Sequence, residues 1–402
     1  MSPIWLGMYL ACGVMPSVIS GNPASDPLPG PGCFSSFPWV ETGSSRHFAN
    51  PGVPSESFGP GDRLRSDPMP EERPEISVVM LTWNRKDDLA EAIDSVLVQQ
   101  GASYEIIVVD NASTDGTREL IQSRYPQIRY IRLPYNLGVS GRNFGMANAK
   151  GELVFLLDDD VVLPDPHLLA TAYQYFQKDA ALGVLFGARF NYFDGRIEDG
   201  VSTQNPDHNW SNPCYTYNFR GGAEFIRRRV LEEIGYFDPL FFREKEERDL
   251  SMRVLARGSR ILYVPSLAVR HKTSPERFAS GPVQSLKFLH ELIVLWTYYP
   301  FLDAALFSAW DTISSFLRSL KEKWLLHYLR SWFLFLFRHL PFTIPRRRRP
   351  LPKEIIQHIY ALNTRCVCHP EDLPGARISL MSFCWHYLSH HFLPKRKKGR
   401  ES

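Results

Sequence analysis

The sequence predicts an α/β protein built on a mixed, mostly parallel sheet with helices on both faces, followed by a C-terminal helical extension. Two observations carry this prediction. Short apolar runs alternate with helix-spaced segments at βαβ intervals between residues 76 and 158. Several of the runs end in polar or acidic residues, the strand ends at which such sheets bind ligands.

Residues 76–81 are a strand-like apolar run, and Leu89, Ile93, Val96 and Leu97 recur at helical spacing over 89–100. A second strand is expected over 105–110, closing on Asp110, and a second helix over 117–124. A third strand over 128–133, a third helix over 139–149 and a fourth strand over 153–158 follow, the last closing on Asp158. Thr82, Asn84, Asp110 and the acidic run at 158–160 therefore belong at one edge of the sheet, facing one cleft.

The 402 residues leave room for two or three domains, or one large domain with extensions. Residues 1–74, rich in Pro, Gly and Ser, show no lasting period and read as disordered. The apolar start lacks a basic segment before it, which argues against a signal peptide. Residues 75–280 carry the α/β domain, 281–345 an apolar helical extension, and 346–402 a basic tail. A net charge of +3 gives no global sign of a nucleic-acid partner. The basic charge gathers at Arg346–Arg347–Arg348–Arg349 and Lys395–Arg396–Lys397–Lys398, either as solvated tail or as contact with anionic lipid. Residues 292–310 are apolar but carry Asp303 and Pro300, so peripheral membrane contact or a buried helical cap fits better than a span. Six scattered cysteines suit a reducing, cytoplasmic setting.

Asp158, Asp159 and Asp160 directly follow an apolar strand. Crowded carboxylates are costly unless neutralised, and a hard divalent ion, Mg²⁺ or Mn²⁺, shared with a diphosphate would do so. A solvated acidic turn is the plain alternative. Asp110 and Asp115 flank a turn that suits either a ribose or base contact or helix capping. Around Asn136, Gly138 and Gly141, glycines opening a helix would admit phosphates, with Arg142 as the counter-charge. Glu246, Glu247 and Asp249 open a helix on which Glu246, Asp249 and Arg253 share a face. One of these acids would deprotonate an acceptor hydroxyl, or the face is simply solvated. His271, after a short apolar strand, is a further metal ligand or a structural histidine.

Taken in order, Thr82-Trp-Asn84-Arg85, Asp110 to Thr117, Asn136-Leu-Gly138, Asp158 to Asp160, Arg220 to Ala223, Gly235 to Asp238 and Glu246 to Asp249 resemble family 2 glycosyltransferases of the GT-A fold. The resemblance is strongest to the branch with rhamnosyl- and galactofuranosyltransferases of bacterial envelopes. It implies an inverting transfer from a UDP- or dTDP-sugar to a glycan or lipid-linked acceptor, at the inner face of the cell membrane. It also implies roles. Asp110 would hold the base, with Thr82, Asn84 and Arg85 lining that pocket. Asp115, Asn136, Gly138, Arg142, Asp158 and Asp159 would surround the rest of the donor. Asp158, Asp160 and His271 would bind the metal, and Gly221, Gly222 and Ala223 would shape the acceptor side. Glu247 stands where the family usually has an Asp as base, which leaves Glu246 or Asp249 as alternatives. A sugar-phosphate nucleotidyltransferase would show a glycine-rich loop after the first strand, and residues 82–89 have none. A non-catalytic, membrane-associated nucleotide-sugar binder is the other competing class, and the intact acidic triplet argues against it.

Overall fold

The computed structural model describes residues 39–42, 45–48, 73–198, 211–273, 280–364, 367–373, 375 and 378–383. The chain divides into two units, Met1–Arg63 and Leu64–Ser402. In the first, β1 (Trp39–Thr42) pairs antiparallel with β2 (Ser45–Phe48), a ribbon the apolar pattern did not predict. The rest of the expectation for 1–74 falls almost wholly outside the described residues.

The second unit is organised by β3 (Ile76–Thr82), β4 (Tyr104–Asp110), β5 (Arg129–Arg132) and β6 (Leu153–Asp158). These four lie side by side and parallel, in the order β5–β4–β3–β6. β3, β4 and β6 are buried along nearly their whole length, as expected where helices cover both faces. Of those helices, α1 (Lys86–Leu97) buries Leu89, Ala92, Ile93 and Val96, and α2 (Thr117–Arg124) buries Ile121. The expected third helix divides: a 3₁₀ turn at Gly138–Gly141 runs into α3 (Arg142–Asn148).

Beyond β6 the short β7 (Val161–Val162) leads to α4 (Leu168–Lys178), β8 (Leu182–Asn191) and β9 (Ile197–Glu198). Then come β10 (Cys214–Thr216), β11 (Ala223–Arg227), α5 (Arg228–Ile234), α6 (Glu246–Ala256) and the long β12 (Arg260–His271). β11 runs antiparallel between β6 and β8, and β12 runs parallel to β8. The sheet is thus mixed but mostly parallel, as predicted.

Register decides what meets at the sheet edge. Thr82 pairs with Asp110 and Leu81 with Asp158, so β3, β4 and β6 end level. Ala223 pairs with Leu157, which brings the Gly221–Gly222 turn to the same edge. His271, at the far end of β12, pairs with Val161 just past the acidic triplet.

The C-terminal region is helical: α7 (Gly281–Tyr298), α8 (Phe301–Lys321), α9 (Leu325–Leu334), a π-helical stretch Phe335–Thr343, α10 (Ile344–Arg347) and α11 (Lys353–Thr364). Pro300 separates α7 from α8, so the apolar stretch over 292–310 is two helices rather than one. Asp303, the charge within it, is buried and accepts a hydrogen bond from Tyr360 at 2.5 Å. No helix among the described residues is long and apolar enough to cross a membrane.

Two features depart from the expected basic tail over 346–402. α11 packs Ile356, Ile359, Tyr360 and Leu362 into the core. Within the arginine run, Arg347 pairs with Asp238, and Arg348 donates to the carbonyls of Trp296 and Tyr299. Those two arginines are structural because each finds an acceptor that tertiary folding supplies. The run at 395–398 lies outside the described residues.

Candidate active site

Asp158 closes β6, and the chain turns through Asp159 and Asp160 before β7. Asp158, Asp160 and His271 each offer one ligand atom, and these atoms all lie within 4.8 Å of one another. His271 Nε2 is 3.4 Å from Asp160 Oδ1, and its Nδ1 is 2.9 Å from Glu198 Oε2. A carboxylate on the far ring nitrogen fixes which nitrogen faces the acids, an arrangement typical of metal-binding histidines. Two carboxylates and an imidazole suit a hard divalent ion such as Mg²⁺ or Mn²⁺.

The triplet also has cationic side chains beside it. Arg85 reaches Asp159 at 3.2 Å and Asp160 at 2.5 Å, and the buried Arg142 pairs with Asp158. Burial raises the Asp159 carboxyl to about 7, helped by Asp158 and Asp160 and opposed by Arg85 and Thr82. Burial would raise Asp160 as well, but His271 and Arg85 outweigh it and hold that carboxyl well below its usual range. His271 is the converse: burial lowers it, while Asp160 and Glu198 prevail and lift it to about 9. Asp159 and Asp160 are therefore buried and paired, with Asp158 partly exposed beside them.

Beside it, about 10 Å away across two strand spacings, is the end of β4. Asp110 there is fully buried. Its carboxylate accepts from the Ser113 N–H at 2.7 Å, the Tyr130 hydroxyl at 2.5 Å and Arg132 at 3.1 Å. In this structure the group organises the turn from within. Asp115 likewise accepts from Thr117 and from the Lys86 N–H, the capping alternative. Asn84, at φ 53, donates its N–H to Ser113 and accepts from Thr114, binding the 82–86 and 110–117 loops together. Thr82 is buried beneath them.

Asn136 accepts from the Gly138 N–H at 2.8 Å. Gly138 has φ 61, and a Cβ on it would sit 2.3 Å from the Phe242 carbonyl. The glycine is thus required by packing against Phe242.

The opposite wall carries the acids of α6. A Cβ on Gly221 would lie 2.0 Å from Glu247 Oε1, and one on Gly222 would lie 3.1 Å from Asp158 Oδ2. One turn therefore touches both Glu247 and the triplet, and Ala223 follows it as the first residue of β11. Burial, with Glu244 and Asp158 nearby, raises the Glu247 carboxyl against the pull of Arg142. Glu246 is more deeply buried, and its carboxyl is pushed well above the usual range, first by burial and then by Glu247. Asp249 binds Arg253 at 2.7 Å and the Tyr298 hydroxyl at 2.7 Å, joining α6 to α7. Glu244 and Lys245, both at φ 71, hold the chain in left-handed geometry just before α6. His290 on the Glu244 carbonyl at 2.9 Å and Glu291 on Lys245 at 2.7 Å secure that bend.

Sequence reasoning missed several members. Glu198, which orients His271, sits on a two-residue strand with no pattern to mark it. Glu224 lies fully buried beneath Arg142, the one acid in the apolar run of β11. Burial, with Glu247 and Asp158 close by, raises its carboxyl well above the usual range despite Arg142. That lone acid was visible in the sequence; its neighbours were not.

Residues 77–235 match the model of glycosyl transferase family 2. Among curated relatives, the succinoglycan biosynthesis protein ExoO of Rhizobium meliloti is 39% identical over 95 residues, 23% of this chain and 27% of that protein. The uncharacterized glycosyltransferase alr2836 of a Nostoc species is 32% identical over 182 residues, 42% of this chain and 55% of its own. The putative teichuronic acid biosynthesis glycosyltransferase TuaG of Bacillus subtilis is 35% identical over 92 residues, 22% and 36% of the two chains. The chain thus spans about a quarter to a half of the length of these relatives. A solved mannosyltransferase from Pyrobaculum calidifontis, in complex with GDP-Man and Mn²⁺, is 18% identical, with a TM-score of 0.43 over 68% of this chain and 78% of its own.

Proposed function

We propose that this protein is an inverting, metal-dependent glycosyltransferase. In this reading it moves a hexosyl group from a UDP- or dTDP-sugar to a hydroxyl of a glycan or lipid-linked acceptor, in cell-envelope polysaccharide synthesis. The observation that carries it is the meeting of Asp158, Asp160 and His271 within 4.8 Å, from strands distant in sequence, in a family 2 domain. The polymers in the names of ExoO and TuaG support the envelope setting. A rhamnosyl or galactofuranosyl donor is the narrower form, resting on the resemblance of the motifs taken together. Work at the inner face of the cell membrane, with peripheral contact through 281–345, belongs to the same reading.

Asp158, Asp160 and His271 would hold the ion, and Mg²⁺ or Mn²⁺ bound there would supply Lewis-acid stabilisation of the diphosphate. Arg142, beside Asp158, places positive charge where the leaving oxygen gathers its electron pair. Glu247 takes the acceptor hydroxyl proton as that oxygen bonds to the anomeric carbon and the carbon–phosphate-oxygen bond breaks. Attack from the side opposite the leaving group inverts the anomeric centre. A raised carboxyl suits this task, because a base works best with its pKa close to the working pH. Asn84, Arg85 and the loop around Asp115 frame the nucleotide side, with Asp110, Asn136 and Gly138 shaping that wall from beneath.

The test is a panel of nucleotide sugars incubated with the purified protein, Mn²⁺ and membrane extract as acceptor source. The expected result is nucleoside diphosphate release from at least one donor, abolished by a chelator. Release from none of them, or release indifferent to chelation, would contradict the reading.

A further inference from the structure

Helices α8 and α9 expose an unusual share of large apolar side chains while burying several polar ones. On α8 the buried positions are Asp303, Ala304, Ser308 and Ser319. On α9 they are Tyr328 and Ser331. These small and polar groups form the seams: Trp296 on α7 donates to Ser308 at 2.9 Å, Ser331 donates to the Ser285 carbonyl at 2.9 Å, and Tyr328 donates to the Thr312 carbonyl at 3.1 Å. Phe307 and Trp332 pack inward, but many other large apolar residues point outward. Leu302, Leu306, Ile313 and Leu317 form one stripe along α8 at helical spacing, with Leu302 62% and Leu317 60% exposed. Leu326, Leu329, Phe333 and Phe337 form a second along α9 and its π-helical continuation, with Leu326 81% exposed. Scattered exposed leucines are ordinary, but two registered stripes on adjacent helices are not.

Charge identifies the occupant. Residues 301–350 hold nine Lys and Arg against three Asp and Glu. Asp303 is buried and Asp311 half-buried, so Glu322 is the exposed acid among the described residues of that stretch. Arg318, Lys321, Lys323, Arg338, Arg346 and Arg349 are exposed. A second copy docking face to face would oppose like charges, whereas an anionic leaflet matches both the apolar stripes and the basic rim. As no described helix can span, the helices would lie in the plane of the interface.

We propose that the outer faces of α8 and α9 seat this protein in the surface of an anionic membrane. The proposal narrows the peripheral contact of the proposed function to one face and one lipid charge. Its assay contains no sugar donor, so its failure leaves the transfer reading untouched. The full chain is floated with phosphatidylcholine vesicles, with and without phosphatidylglycerol, at low and high salt. Preferred binding to the anionic vesicles is expected, weakened by salt. Leu317→Glu with Leu326→Glu should lower binding about tenfold or more while the melting temperature stays near that of the unmodified protein. A second variant, Arg318→Glu with Lys321→Glu, should remove the preference for anionic lipid. Equal binding to both vesicle types, unchanged binding by the leucine variant, or a vesicle-free dimer broken by the same leucine changes would each overturn the proposal.

Discussion

Replacing Gly221 by alanine should separate the proposed base from the stability of the fold. The added Cβ would lie 2.0 Å from Glu247 Oε1, 3.0 Å from Cδ and 3.2 Å from Cγ. Every clash is with the flexible end of one side chain, so the backbone need not move. Turning Glu247 to another rotamer costs about 1 kcal/mol, and the melting temperature should shift by only a few degrees. Catalysis should respond far more. A positioned general base contributes roughly 10²–10⁴-fold, and a misplacement of about 1 Å costs about 10²-fold. A loss of at least about 10²-fold, or about 2.7 kcal/mol in the barrier, is therefore expected. The assay is nucleoside diphosphate release under saturating donor, beside a thermal melt. Glu247→Ala should show a comparable loss, and the double variant should be little worse than the worse single change, because both remove one function. Turnover of Gly221→Ala within about threefold of the unmodified enzyme would refute Glu247 as the base, threefold being under about 1 kcal/mol.

Other perturbations report on other parts of the account. Glu198→Gln should weaken Mn²⁺ binding about 10–100-fold, read by electron paramagnetic resonance, because His271 loses its orienting carboxylate; unchanged affinity would speak against His271 as a ligand. Tyr298→Phe should destabilise by about 1–3 kcal/mol in urea unfolding, since it removes a donor from buried Asp249. Burial holds His290 down to about 4 from an ordinary 6.5, so the folded state refuses a proton the unfolded chain accepts. That contribution is complete above about pH 6.5 and is lost as pH falls towards 4, by at most about 3 kcal/mol. His290→Gln should flatten the stability profile over that window, and identical profiles would contradict the assignment.

The sheet was legible because its central strands are continuous apolar runs, and α2 falls on the expected bounds, opening after Gly116 in left-handed geometry. The 3₁₀ turn at Gly138–Gly141 was not legible, since its geometry answers to Phe242, far along the chain. The metal cluster was legible as residue types, but the pairing of Arg85 and Arg142 with it was not. Helical periodicity put Glu246 and Asp249 on one face, whereas Glu246 neighbours Glu247 and Arg142 and Asp249 binds Arg253 and Tyr298. Periodicity could not say which face met the cleft, because Tyr298 and Gly221 decide that through tertiary contact. The exposed stripes of α8 and α9 were read only as apolar length, because their direction depends on what α7 covers.

The central claim is that Asp158, Asp160 and His271 form a metal centre on which transfer depends. Asp160→Asn tests it most directly, as it keeps the side-chain shape and leaves Arg85 paired with Asp159. Metal-stripped protein, unmodified and variant, is titrated with Mn²⁺ while nucleoside diphosphate release is followed. The account predicts saturable activation of the unmodified protein and at least about a 10²-fold lower rate in the variant, with the fold retained. Near-normal turnover of Asp160→Asn, at the same Mn²⁺ concentration, would contradict it.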